Sequence, residues 1–578
     1  MGTLTYRSIQ MGLFRRNDRR FRQCAVLFLV LLMAGSALAD NSKISPDLLP
    51  LLSNPSATVN VIVQYNSTPP QTCTSGLLGG VVCTLVSVVN ITVKVIFTLV
   101  NAVAGSMLAG DVVTLSNQSN VTYISLDRSV NATLDYVGDA VNAPMAWNAG
   151  LSGTGVGIAV IDSGIYPHPD LRVLNSSQSR IVYRKSFVSG GVQYDDYGHG
   201  THVAGILAGN GKSSSMPGSL HVLKGIAPNA NLLDLRVLDK NGASTDSAVM
   251  AAIQQAVQLK SQYNVRVINL SLGRPIYERC AADPLCQAVE AAWRNGIVVV
   301  TAAGNLGRNG YATILSPGNS PHAITVGCMK TMETFPRSDD LIASYSSKGP
   351  TYIDLTIKPD LVAPGNLVVS LLDPGSTLAT QYPANVVAPS YYTNSTTGSA
   401  QYFRLSGTSM ATPVVSGAVA LMLQKNSSLS PDTIKARLMK TATKSFPAYS
   451  TATDPATGMT YISTYDVFTI GAGYLDINAA LSSTDTVNGS AQSPSVFYNS
   501  STQLGYLTTN NSEIWGTNVV WGTNVVWGSN VVWGSNVVWG SNVVWGSNVV
   551  WGSNVVWGSN VVWGSNVVWG STSGNGEN

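Results

Sequence analysis

Charge is scarce in this 578-residue chain: Asp, Glu, Lys and Arg together supply 11% of it. With an apolar share of 45%, such a composition is globular and has ample material for a sizeable core, which sets it apart from disordered chains. The net charge is only +3, and the first 39 residues carry six arginines against one aspartate, so the remainder stands at −2. Nothing basic is left there to attract nucleic acid. Cysteine is sparse as well, six in all, and no Cys/His cluster has the spacing of a zinc site.

Long apolar runs are missing too. The run "CAVLFLVLLMAGSALA" follows Arg15, Arg16, Arg19, Arg20 and Arg22 and ends on the small-residue pattern Ala37-Leu38-Ala39. It is short for a membrane span and has the charge order of a secretion signal, so residues 1–39 read as a signal peptide cut before Asp40. Export permits disulfides. Cys24 leaves with the signal; Cys73 and Cys83 bracket one small loop and Cys280 and Cys286 another, with both pairings open from spacing alone, and Cys328 stands apart.

Four zones follow the signal. Residues 40–139 are Val-rich with strand-like runs, among them "VNVIVQY" and "VTYISLD". In residues 140–483 the runs "VGIAVID", "VRVINLSLG", "GIVVVTAAGN" and "AITVG" alternate with helix-like "SAVMAAIQQAVQLKSQY" and "CQAVEAAWRNG". Strands without polar alternation are buried on both faces, so the fold class is α/β, a parallel sheet with helices on each side. Residues 484–511 form a Ser/Thr/Asn-rich linker, and residues 512–578 a repeat.

Sites in such sheets gather at the carboxyl ends of the strands. Asp162 ends the run "GIAVID", where a buried carboxylate needs a partner. His199 lies between glycines in "DDYGHGTHVAGILAG", one of only five histidines, at the mouth of a helix-like stretch. His202 lies one turn on, but no Glu or Cys nearby completes a metal set. Ser409 in "LSGTSMATPVVSG" opens another helix-like run, at the positive helix end, with Pro413 expected in a first turn that needs few donors. Any one of these is commonly a cap or turn residue. Together, in the chain order Asp, His, Ser, they match nucleophilic acyl transfer.

The chain is identified at this point as resembling the subtilisin-like serine peptidases, the subtilases, through "AVIDSGI", "HGTHVAGIL" and "GTSMATPVVSG", with "GIAPNA" and "KPDLVAPG" beside them, over about residues 140–483. The resemblance implies a serine endopeptidase with Asp162 stabilising charge, His199 as general base and Ser409 as nucleophile. It also implies Asn305, at the end of "TAAGN", as oxyanion donor. Ser271, Leu272 and Gly273, with Ala302, Ala303 and Gly304, would flank an extended peptide substrate and its first pocket. Leu306 and Leu315 suggest an uncharged lining for apolar or small neutral side chains.

No cofactor is required for this chemistry. Family members often carry calcium, yet the loop "GNGKSSSMPGSLHVLKG" lacks clustered carboxylates, so no metal ligand is assigned. Residues 377–404 read as an insertion bordering the cleft. Residues 40–139 occupy the place of an inhibitory propeptide, with "VNVIVQY" and "VTYISLD" as outer strands, and self-cleavage is implied between about Asp127 and Ala140. The expected product is a secreted or cell-surface enzyme made as a precursor. An esterase would favour a G-x-S-x-G elbow and the order Ser, Asp, His.

The repeat has no catalytic side chain. "VVWGSN" recurs seven times from Val525 to Asn566, and ten tryptophans from Trp515 to Trp569 stand six apart. On a helix, six residues advance about 240°, spreading the rings in three directions. On a strand the even period puts every Trp on one face, suited to stacking on other copies or on cell-surface polymers. A catalytically inactive surface protein acting through this repeat is the competing reading.

Overall fold

The computed structural model describes residues 40–508, except 47, 69–71, 76–80, 86–88, 128, 133–138, 191–193, 216–218, 220, 335–336, 394–396, 455–456 and 500–503. The expected signal and the Trp repeat lie outside the described residues.

An N-terminal unit comes first. Its strands β1 (Thr58–Tyr65), β2 (Thr72–Ser75), β3 (Val81–Leu85), β4 (Val89–Phe97), β5 (Ala102–Leu108) and β6 (Val121–Leu126) form one antiparallel sheet in the order β2-β3-β4-β5-β1-β6, beside the helix Ala109–Ser116. Of the two runs expected as outer strands, only β6 is an edge. The run "VNVIVQY" is β1, paired on both sides, as suits a strand whose last five residues are all buried. Its Val59, Val61 and Val63 join Ile91 and Leu115 in a small core of this unit, while Ile62 faces the other way and joins the main core with Phe97, Ala102 and Ala104. That second face rests on the helices Asp246–Gln258 and Pro284–Arg294, where Gln254 Nε2 donates to the Ile96 carbonyl at 3.4 Å and Gln287 Nε2 to Gln64 Oε1 at 3.3 Å.

After a short strand β7 (Ser129–Ala132), the main sheet uses β8 (Gly157–Asp162), β9 (Ile181–Ser186), β10 (Asn231–Arg236), β12 (Val265–Leu270), β14 (Val298–Ala302), β15 (Ile324–Lys330), β16 (Leu341–Ile342) and β17 (Leu361–Pro364). Its order is β16-β15-β14-β12-β8-β10-β9, with β17 also on β15; every pairing is parallel except that of β16. Strands β8, β14 and β15 are buried at every residue, as their unbroken apolar runs require. The helices Asp246–Gln258 and Pro284–Arg294 pack together, and the helices His199–Ala208 and Thr408–Lys425 form a second pair. The chain starts this sheet in the middle, at β8, and winds outward both ways, so the crevice at the carboxyl ends of β8, β12 and β14 is a topological switch point.

The run "VRVINLSLG" is not one strand. It breaks at Ser271 into β12 and a separate strand β13 (Leu272–Gly273), because Ser271 is pulled toward the helix Thr408–Lys425 by side-chain and carbonyl hydrogen bonds.

Candidate active site

Asp162 is the last residue of β8 and is 1% exposed. One carboxylate oxygen takes the Ser163 amide at 2.7 Å and meets His199 Nδ1 at 2.6 Å; the other has no partner. The buried carboxylate thus has the partner its position demands, and it fixes the imidazole so that Nδ1 carries the proton and Nε2 is the basic nitrogen.

His199 is the first residue of its helix. The start of that helix is held by residues the sequence reasoning did not single out. Asp195 accepts from the Gly198 amide at 2.8 Å, the Thr201 amide at 2.9 Å and the Thr201 hydroxyl at 2.6 Å, and Ser163 Oγ accepts from the Gly200 amide at 2.8 Å. Burial pushes the Asp195 carboxyl up, and these hydrogen bonds oppose that shift. An acidic residue four positions ahead of the first helical residue is the legible signal. Gly200 is required by contact: a Cβ there would lie 2.2 Å from the Gly164 carbonyl oxygen, so the glycine lets the helix press on the loop after Asp162.

Ser409 is the second residue of the helix Thr408–Lys425, which packs on the His199 helix, and it is fully buried among its neighbours. Its hydroxyl donates to the Ser271 carbonyl at 3.0 Å, and the Ser271 hydroxyl donates to the Ser409 carbonyl at 2.6 Å. Pro413 does not sit in the first turn as expected but inside the helix, four residues after Ser409. Having no N–H, it leaves the Ser409 carbonyl without its helical donor, and the Ser271 hydroxyl takes that place.

Asn305 follows β14. Its Oδ1 accepts from the Thr408 amide at 2.8 Å and from the Thr408 hydroxyl at 3.2 Å, while its buried Nδ2 has no partner. Thr408 Oγ1 also accepts from the Gly304 amide at 3.1 Å. Donors on one side of the amide settle its orientation, so the NH2 group is the end left over for something not yet present. Thr408 carries no local signal in the sequence, because its role depends on contacts with the distant Asn305 and Gly304.

Next to Ser271, β13 belongs to a small three-stranded sheet. Strand β11 (Ala243–Thr245) and β13 run on either side of β7, antiparallel to it, with Thr245 opposite Ser129, Ala243 opposite Asn131, Gly273 opposite Asn131 and Leu272 opposite Ala132. Ser271 to Gly273 and Ala302 to Gly304 are all buried.

The remaining expectations fall elsewhere. His202 points its Nε2 to the Phe403 and Val368 carbonyls at 3.1 and 3.3 Å, and burial pushes its imidazole down to about 3, so it is a neutral packing residue. Among the described residues of the loop after the His199 helix, the Ser213 amide donates to Asp170 at 2.8 Å, and the Tyr402 hydroxyl donates to the same carboxylate at 2.7 Å. Cys280 and Cys286 form a disulfide; Cys328 is a buried thiol 3.3 Å from the Tyr345 hydroxyl; in the backbone register of β2 and β3, position 73 stands opposite position 83. The expected insertion begins beside the site, with the Thr377 and Leu378 amides donating to the Asp196 and Tyr197 carbonyls at 2.9 and 3.1 Å.

Comparison with known proteins agrees with this architecture. The subtilase family model matches residues 153–459, more than half of the chain. The chain is 41% identical over 341 residues to the serine protease AprX of Bacillus subtilis (strain 168), covering 57% of this chain and 71% of that protein. It is 35% identical over 337 residues to an alkaline protease of Alkalihalobacillus alcalophilus (58% and 72%), and 36% identical over 304 residues to subtilisin Savinase of Lederbergia lenta (52% and 89%). The chain belongs to the subtilase family and is a serine endopeptidase, acting on polypeptide substrates without a cofactor in the chemistry.

Proposed function

We propose that this endopeptidase is exported and made as a self-processing precursor, with Ser409 as nucleophile, His199 as base, Asp162 as the group that orients and stabilises the imidazolium, and Asn305 as oxyanion donor. Ser409 Oγ attacks the scissile carbonyl while its proton passes to His199 Nε2. Asp162 holds the Nδ1 proton of the resulting imidazolium. The carbonyl electron pair moves onto oxygen, where the unpartnered Asn305 Nδ2 and the Ser409 amide at the helix start receive it. The imidazolium returns its proton to the leaving amine as the C–N bond breaks. Water, deprotonated by His199, then cleaves the acyl-enzyme ester and restores the serine.

The observation that carries the precursor reading is β7. A peptide substrate would add as an antiparallel strand between β11 and β13, and the chain's own Ser129–Ala132 lies in that manner, just downstream of the N-terminal unit. Residues 40–139 then read as folding aid and inhibitor in one, residues 140–483 as the enzyme, residues 484–511 as linker, and the Trp repeat of 512–578 as a surface that associates with other copies or with cell-wall polymers.

Expression of the full chain beside a Ser409→Ala control tests this, with N-termini and intact masses read from the medium. The wild type is expected to appear as two fragments split between Asp127 and Ala140, and the alanine variant as one chain beginning at Asp40. Identical N-termini in the two would contradict self-processing.

A further inference from the structure

We infer that Arg184 and Asp234, an ion pair outside the catalytic group, are positioning residues for it: together they clamp the backbone of Ile165 and so hold the loop after Asp162 against the start of the His199 helix. This rests on the roles proposed above for Asp162 and His199. Asp234 Oδ2 accepts from the Ile165 amide at 3.1 Å, and Arg184 Nη1 donates to the Ile165 carbonyl at 2.6 Å. The two side chains meet each other at 2.6 Å. One ion pair thus satisfies both backbone groups of a single buried residue, three positions after Asp162.

The pair is built into the sheet. Asp234 lies within β10, with Val160 of β8 opposite it on one side and Arg184 of β9 opposite it on the other. Its strand, "NLLDLR", is buried from the second residue onward, and Asp234 itself is 3% exposed. Burial pushes its carboxyl up to about 7, against the pull of Arg184. A carboxylate in that place is costly, and an apolar residue would pack the sheet as well, so a task other than packing accounts for it.

The clamped loop touches both catalytic segments. Ser163 Oγ accepts from the Gly200 amide at 2.8 Å, and the Tyr166 amide donates to the Thr201 hydroxyl oxygen at 2.9 Å, on either side of Ile165. Gly164 has φ +113°, and a Cβ there would lie 2.4 Å from the Tyr194 carbonyl oxygen, so the loop also presses on the segment that leads into the helix. Arg184 reaches the same segment from its other face: its Cζ lies 5.0 Å from the centroid of the Tyr194 ring, and Tyr194 precedes the capping Asp195. Releasing Ile165 frees the loop to shift, and with it the 2.6 Å contact between Asp162 and His199. Such a misplacement costs rate rather than binding.

The test uses the enzyme as secreted from the full chain, with active sites counted by fluorophosphonate labelling of Ser409 so that only folded enzyme enters kcat, and kinetics taken well above pH 7, where Asp234 is ionised. Arg184→Met is expected to lower kcat roughly tenfold with KM within about twofold of wild type. Arg184→Lys keeps the charge and enough donors for both acceptors, and is expected to restore most of that loss. The proton NMR signal of the hydrogen bond between Asp162 and His199 is expected to move or broaden in Arg184→Met and to recover in Arg184→Lys. If Arg184→Met fails to fold, Asp234→Asn carries the same comparison of kcat with KM. A wild-type kcat in a labelled variant, or a loss that falls wholly on KM, overturns the clamp. A wild type that does not label at Ser409 refutes the catalytic assignment beneath it, a result the variants alone cannot mimic.

Discussion

Ser271 and Ser409 hold each other by two reciprocal hydrogen bonds, each hydroxyl donating to the other's carbonyl, at 2.6 and 3.0 Å. The first compensates for the amide that Pro413 lacks. The end of β12 and the start of the Ser409 helix are thereby one mechanical unit, and Asn269 extends it, donating to Ser271 Oγ at 3.0 Å and accepting from Ser416 at 2.8 Å.

Removing the Ser271 hydroxyl leaves a buried carbonyl without a donor, so Ser271→Ala is expected to cost about 1–2 kcal/mol of stability. Pro413→Ala returns an amide to the helix four residues after that carbonyl. The double variant is therefore expected to lose less than the sum of the singles, read by denaturant unfolding in a Ser409→Ala background that prevents self-digestion.

Asn305→Ala is expected to lower kcat by about 100- to 1000-fold with KM little altered, a magnitude that is the subtilisin family's own precedent and is adopted, not calculated, for this chain. Thr408→Ala keeps the amide but loosens its hold, through the lost hydroxyl contacts to Asn305 and Gly304. A smaller fall in kcat, roughly tenfold, is expected from it. Steady-state kinetics on one peptide separates the two variants.

Asp127 joins the N-terminal unit to the enzyme at a helix start. Its Oδ1 accepts from the Ser247 amide at 2.6 Å, its Oδ2 from the Ser247 hydroxyl, and Lys94 lies 3.8 Å away. Asp127→Ala removes a capping carboxylate and is expected to cost the uncut Ser409→Ala chain about 1 kcal/mol. Thermal unfolding of the two chains checks it.

Burial pushes the Lys444 ammonium down from 10.5 to about 7, although it donates to the Met439 carbonyl at 2.7 Å and to that of Ala472. The folded state sheds this proton before the unfolded state does. Below pH 7 both states hold it and folding bears the full cost of burying the charge; between pH 7 and 10.5 that cost falls away. This group therefore makes stability rise across that alkaline window, and Lys444→Met is expected to flatten the rise in Tm.

Much of the architecture was legible because buried parallel strands advertise themselves as unbroken apolar runs, as in Gly157–Asp162 and Val298–Ala302. Asp162 and His199 were legible for a related reason, as polar residues at the carboxyl end of such a run and at a helix mouth between glycines. What escaped depends on contacts between distant segments. Nothing near Ser271 in sequence announces that it will complete a helix interrupted by Pro413, and Thr408 looks like any residue before a serine until its bonds to Asn305 are seen. Asp195 had a local signal, as an acidic residue four positions ahead of the first helical residue. The placement of β1 inside its sheet rather than at the edge was hidden because pairing on both sides and pairing on one side call for similar valine-rich runs.

The most direct measurement is fluorophosphonate labelling of the secreted protein, with the adduct located by peptide mass. The account expects one adduct, on Ser409, abolished by His199→Ala and by Ser409→Ala. An adduct on another residue, or labelling of Ser409 that survives loss of His199 undiminished, would contradict it.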